Sequence, residues 1–186
     1  SCAAGYHGVP VVACLGNGGA FSAPSGCIAC ETGRYLHGTG CIDCVAGKYS
    51  DVPGSYDETD CVDCAAGKYV NTTASDEASD CIDCVVGRYI DVAGSDDAAD
   101  CIECVAGTYI GVTGSDEATD CIDCAVGTFS AAGSDALDDC VDCPVGRYSA
   151  TTPIAESECI DCVAGKYIDV TGSDAASDCI DSVSYT

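Results

Sequence analysis

From residue 41 onward the apolar and polar positions recur about every twenty residues, longer than the period of any single strand or helix. Each period opens with Cys-(Ile/Val)-(Asp/Glu)-Cys, whose first cysteine falls at Cys41, Cys61, Cys81, Cys101, Cys121, Cys140, Cys159 and Cys179. Two periods, Cys121 to Cys140 and Cys140 to Cys159, are one residue short, which predicts a shortened loop. The β-branched residue between the cysteines predicts a short extended segment. A second short strand follows in text such as Gly-Lys-Tyr-Ile-Asp-Val. It is entered through a glycine at one fixed place (Gly33, Gly47, Gly67, Gly87, Gly107, Gly127, Gly146, Gly165), which predicts positive φ or a close backbone approach. Then comes Gly-Ser-Asp-x-x-x-Asp, read as one helical turn with Ser as its N-cap and carboxylates near the positive end.

The fold class this predicts is a small disulfide-rich repeat protein. It would be an elongated rod or solenoid of ~20-residue repeats, with short β-strands, single helical turns and little other regular structure. Residues 1–40 read as an irregular N-terminal docking or cap-like segment with one short repeat. Residues 41–182 read as seven tandem repeats, and residues 183–186 as a tail.

Composition explains why such a chain needs covalent help. It has no Trp, no Met, two Phe and only Leu15, Leu36 and Leu137 as leucines, so large core side chains are scarce. It has 19 cysteines in 186 residues, above the level that marks a disulfide scaffold. Closing a loop of 16–17 residues between successive Cys elements with a disulfide contributes on the order of 3 kcal/mol. A zinc ribbon is the rival reading of paired CxxC elements. Against it stand the unbroken ladder of pairs, the sequon Asn71-Thr72-Thr73 and the final element Cys179-Ile-Asp-Ser182.

Ser182 also bears on connectivity. If the second cysteine of each element bonds the first of the next, the pairs are Cys30–Cys41, Cys44–Cys61, Cys64–Cys81, Cys84–Cys101, Cys104–Cys121, Cys124–Cys140, Cys143–Cys159 and Cys162–Cys179. A cysteine at 182 would then be surplus. Bonds inside each CxxC would instead strand Cys179, so the first scheme is favoured. It leaves Cys2, Cys14 and Cys27. Cys2–Cys27 is one pairing, with Cys14 a free or intermolecular thiol, and Cys14–Cys27 is the alternative. Haem attachment, iron–sulfur clusters and a thioredoxin-type pair do not fit these spacings.

The formal charge of −25 comes from 31 acids against 6 bases. Nucleic acid is excluded as a partner, because phosphate contacts need clustered Lys and Arg. No apolar stretch approaches the ~20 residues of a membrane span, so membrane insertion is not expected. The six bases, Arg34, Lys48, Lys68, Arg88, Arg147 and Lys166, all stand between the fixed glycine and the aromatic. Each reads as the partner of an Asp in its own or an adjacent repeat; a cation stripe meeting a neighbouring copy is the alternative. The aromatics Tyr35, Tyr49, Tyr69, Tyr89, Tyr109, Phe129, Tyr148 and Tyr167 read as packing between repeats, with carbohydrate stacking as the alternative.

Acids recur before and inside each element, as at Asp60 and Asp63, Asp80 and Asp83, Asp120 and Asp123. They read as solvated charge, or as a weak Ca²⁺ site per repeat without an EF-hand loop. No other cofactor and no metal ligand set is expected. A carboxylate repeated in every period has no singular catalytic cleft, so an enzyme is not expected. His7 and His37, in Gly-rich text, read as loop residues. With no Met at all, Ser1 reads as the product of leader removal, which suits secretion into an oxidising compartment. There Asn71 would carry an N-glycan. Thr72, Thr113, Thr151, Thr152 and Thr171 are loop positions open to O-glycans.

The pattern C-x-x-C-x-x-G-x-Y-x(4)-G-S-x(5)-C-x-x-C resembles the ephrin-receptor-like cysteine-rich repeat, a relative of the tumour-necrosis-factor-receptor type of module. The resemblance covers residues 27–182, and weakly 2–27. It implies an extracellular or cell-surface protein: a receptor ectodomain, or a structural protein of the kind that builds flagellar hairs and other fibres in algae and protists. The near-uniform array favours a structural role, a head-to-tail homopolymer whose partner is itself. A ligand-binding ectodomain of a receptor or adhesin is the second expectation, with the repeat at Pro144 and TTPIAESE as the divergent surface.

Overall fold

The computed structural model describes residues 29–38, 40–151 and 155–182. Cys2, His7, Cys14, Cys27, Thr152 and the tail 183–186 lie outside these residues, as does most of the N-terminal segment. The chain divides into two compact units, Ser1–Asp83 with Val92–Asp100, and Cys84–Asp91 with Cys101–Thr186.

In the first unit three antiparallel hairpins follow one another. Strand Arg34–His37 pairs with Gly40–Asp43, Lys48–Tyr49 with Val62–Asp63, and Lys68–Tyr69 with Ile82–Asp83. Disulfides Cys30–Cys41, Cys44–Cys61 and Cys64–Cys81 tie the second cysteine of one element to the first of the next. The repeats stack through backbone hydrogen bonds. Gly47 N–H donates to the Val70 carbonyl, Val70 N–H to the Ser95 carbonyl, and Gly94 N–H to the Cys64 carbonyl. That last pair of bonds is why the loop Val92–Asp100 belongs to this unit. Its core is small: Cys64, Val70 and Cys81 are buried together, with Tyr49 packed on them.

The second unit repeats the pattern. Strand Arg88–Tyr89 pairs with Ile102–Glu103, Thr108–Tyr109 with Ile122–Asp123, and Thr128–Phe129 with Val141–Asp142. Arg147–Tyr148 pairs with Ile160–Asp161, and Lys166–Tyr167 with Ile180–Asp181. Its disulfides are Cys84–Cys101, Cys104–Cys121, Cys124–Cys140, Cys143–Cys159 and Cys162–Cys179. Ser182 occupies the place of a second cysteine. Its N–H donates to the Gly165 carbonyl, as Cys162 N–H does to Gly146, so the hairpin closes without a thiol there.

The fixed glycine meets both conditions read from its spacing. Gly33, Gly47, Gly87 and Gly127 have φ between +76° and +84°. A Cβ on Gly47 would overlap the Gly94 carbonyl, and one on Gly127 the Gly172 carbonyl. An L side chain fits neither the dihedral nor the space.

The helical turn differs from its reading. Each is a three-residue 3-10 turn, such as Glu58–Asp60 or Ala118–Asp120, and Ser is not its cap. Ser55, Ser75, Ser95, Ser115, Ser134 and Ser173 are buried instead. Several lie in parallel bridges with an earlier aromatic: Tyr49 with Ser75, Tyr109 with Ser134, Tyr148 with Ser173. The serine is buried between repeats, and the turn begins two residues later, after Asp57, Glu77, Glu117, Ala136 or Ala175. The acid just before the cysteine closes it. Asp60 Oδ2 accepts from the N–H groups of Tyr56 and Asp57, and Asp80 Oδ2 from those of Asp76 and Glu77. These carboxylates satisfy donors that a short turn leaves orphaned.

Candidate functional site

Each base is held inside its own hairpin, because the cross-strand register puts it opposite the acid of the next Cys element. Arg34 meets Asp43 at 2.7 Å, Lys48 meets Asp63 at 2.6 Å, and Lys68 meets Asp83. Arg88 meets Glu103 at 2.6 Å and Lys166 meets Asp181 at 3.0 Å. Arg147 meets Asp161 at 2.7 Å and Glu156 at 3.8 Å. All six bases are thereby paired with an acid of their own hairpin. Thr108 and Thr128 take the same position opposite Asp123 and Asp142, and their hydroxyls turn back to the carbonyls of Val105 and Ala125.

The calcium reading changes with the geometry. Asp60, Asp80, Asp100, Asp120, Asp139 and Asp178 each spend an oxygen on backbone N–H groups, and the acid inside each element faces a base or a threonine. Among the described residues Asp76, Glu77 and Asp80 bring carboxylate oxygens within 4.8 Å of one another. That cluster is exposed, and Asp80 is already engaged in closing its turn. Asp57 is held below the usual carboxylate range because Thr59 N–H and the Thr59 hydroxyl both donate to it.

The fixed-position aromatics Tyr35, Tyr49, Tyr69, Tyr89, Tyr109, Phe129 and Tyr148 are partly buried, each in a hairpin and opposite a β-branched residue, as Tyr69 is to Ile82. Tyr167 differs; it is 42 % exposed. The edge of the strand it sits on is unpaired among the described residues. In the preceding repeat Gly146 N–H donates to the Ile168 carbonyl, Ser149 N–H to the Ser173 carbonyl, and the Cys143 carbonyl accepts from Gly172 N–H. The equivalent groups of Gly165, Ile168 and Cys162 have no such partner among the described residues, and a Cβ on Gly165 would meet nothing within 4 Å.

A second surface breaks the repeat in the first unit. Where other repeats carry an Asp (Asp76, Asp116, Asp135, Asp174), this one carries Tyr56, 59 % exposed. Tyr56, Asp57 and Glu58 face Tyr35, Leu36, His37 and Ile42 across an open groove of about 350 Å³. His37 ends a strand rather than lying in a loop, and it is exposed. Sequence reading passed over Tyr56, although comparing equivalent repeat positions would have found it.

Of the glycan positions, Asn71, Thr72, Thr113 and Thr151 are exposed. Thr171 is exposed too, but its hydroxyl donates to Asp142 at 2.7 Å. Among the described residues no helix is long and apolar enough to cross a membrane.

A family model described as tyrosine-protein kinase ephrin type A/B receptor-like matches residues 67–121 and 127–179, more than half of the chain. Comparison with curated proteins finds no match. Modules of this kind are structural or binding units rather than catalytic ones, and together with the disulfides they point to an extracellular or cell-surface setting. The hairpins, the disulfide ladder and the matched segments lead to one conclusion: the chain belongs to the ephrin type A/B receptor-like family of cysteine-rich repeats.

Proposed function

We propose that the chain is a structural subunit that joins head to tail into an extracellular filament. The near-uniform repetition of the array carries this reading, and the edge at Gly165–Ile168, unpaired among the described residues, is where a further repeat or a second copy would stack. The Gly165 and Ile168 N–H groups and the Cys162 carbonyl are the counterparts of Gly146 N–H, Ser149 N–H and the Cys143 carbonyl, by which the preceding repeat stacks. An unpaired strand edge is a template for another chain, and a contact between unlike faces that does not close on itself propagates. A periodic scaffold serves length better than it serves a singular ligand.

Electron microscopy of the unreduced chain tests this. Regular filaments are expected, and Gly165→Ala is expected to abolish them while leaving the disulfides intact. A neighbour seated as the repeats seat on Gly47 or Gly127 would clash with the added methyl. Gly38→Ala is the control. Its φ is +62° and its Cβ meets open space, so it carries similar backbone strain without blocking the edge. Separate molecules at high concentration, or filaments untouched by Gly165→Ala, would overturn the proposal.

A ligand-binding ectodomain is the second reading, and Tyr56 favours it. An exposed ring beside two carboxylates, at one repeat only, is a singular surface of the kind that recognises a partner. The divergent text at Pro144 offers less, because 152–154 lie outside the described residues. Binding to a glycan or protein array that is lost with Tyr56→Asp, the residue type of the other repeats, would support it.

A further inference from the structure

The loop at residues 71–74 is rewritten relative to its equivalents without any packing reason. The corresponding residues are Asp51-Val52-Pro53-Gly54, Asp91-Val92-Ala93-Gly94 and Asp169-Val170-Thr171-Gly172, whereas this loop reads Asn71-Thr72-Thr73-Ala74. The backbone keeps its usual course. Ala74 N–H donates to the Cys44 carbonyl at 2.9 Å, as Gly94 N–H does to Cys64. Ala74 does so at φ +60°, the one non-glycine residue with positive φ among the described residues. Asn71, Thr72 and Thr73 are all exposed. Thr72 shares its hydroxyl with Ser75 at 3.3 Å, while the Asn71 amide and the Thr73 hydroxyl have no hydrogen-bond partner among the described residues.

We infer that Asn71 is an N-glycosylation site. The chain holds two asparagines, and only Asn71 is followed by a hydroxyl residue two places on, with a non-proline between. The acceptor amide points from a segment that no strand pairs, just outside the buried Val70, so a bulky group there displaces no contact of the fold. The free Thr73 hydroxyl is the group that a transferase needs unengaged. The donor class is an oligosaccharide on a polyprenyl pyrophosphate. A bond forms between Asn71 Nδ2 and the anomeric carbon. The bond from that carbon to the pyrophosphate oxygen breaks, its electron pair leaves with the pyrophosphate, and the amide proton passes to a base of the transferase. The inference requires passage through the secretory route, which both functional readings share, and it stands whether or not filaments form.

The full chain secreted from a eukaryotic host tests it. Intact mass is expected to show one N-glycan, removed by peptide N-glycosidase in ¹⁸O-water to leave labelled aspartate at position 71. Asn71→Gln and Thr73→Ala are expected to abolish the modification, and Thr73→Ser and Thr72→Ala to retain it. Recovery of the 71–73 peptide unmodified from secreted, fully oxidised protein would overturn the inference. So would a glycan that survives Asn71→Gln.

Discussion

Replacing Gly47 by Ala separates the two demands that the fixed glycine meets. At φ +84° an L residue costs about 1–2 kcal/mol from the left-handed backbone alone. In addition, the new Cβ would lie 2.8 Å from the Gly94 carbonyl carbon and overlap its oxygen. Backbone atoms cannot rotate aside, so the loop at Gly94 has to lift. Lifting it strains or breaks Gly47 N–H to Val70 and Gly94 N–H to Cys64, both 2.8 Å long. At about 0.5–1.5 kcal/mol each, these bonds add roughly 1–3 kcal/mol to the strain. Gly38→Ala supplies the reference, with positive φ and open space in the same unit. The assay is native-state amide exchange on the oxidised chain, read at Val70 and Gly94. Gly47→Ala is expected to lower protection at these amides roughly five- to hundred-fold more than Gly38→Ala does, tenfold corresponding to about 1.4 kcal/mol. Equal protection in the two variants would refute the argument that close approach, beyond dihedral strain, fixes this glycine.

Three further outcomes follow from other residues. Ala74→Gly removes a left-handed alanine and is expected to raise stability by about 1 kcal/mol, seen as slower exchange of the amide at position 74. Asp80→Ala leaves the Asp76 and Glu77 N–H groups without their carboxylate and is expected to cost about 1 kcal/mol in the same exchange assay. Asp80→Asn, which keeps an acceptor oxygen, is expected to cost less. Asp57 has its folded pKa depressed by its bonds from Thr59, so its contribution is present above the ordinary carboxylate value of 3.8 and is lost as pH falls through the folded pKa. Carboxyl NMR titration is expected to show Asp57 moving back up toward that value in Thr59→Ala.

The cysteine period and the single glycine position were legible because each answers a local constraint: a loop of fixed length between bonded cysteines, and a dihedral that only glycine adopts cheaply. The pairing of Lys and Arg with acids was also within reach, since so few bases among so many carboxylates leave little choice. Reading failed at Ser75 and its equivalents. Serine before acids is a helix start in any short window, and only the parallel bridge to a tyrosine of an earlier repeat overrides it. It failed at Asp60 and Asp80 for a similar reason. A carboxylate beside a cysteine looks like free charge until the turn that it closes is built.

The sequence by itself determined a disulfide-laddered repeat of the ephrin type A/B receptor-like family, because covalent closure and glycine geometry are written locally and recur with the period. The tertiary structure decided where the turn begins, which acids serve backbone donors, and that every base is spent within its own hairpin. These rest on an acid reaching back to close a turn, a base meeting an acid across a hairpin, and a serine bridged to an aromatic of an earlier repeat, contacts that exist only once the hairpins are formed and stacked.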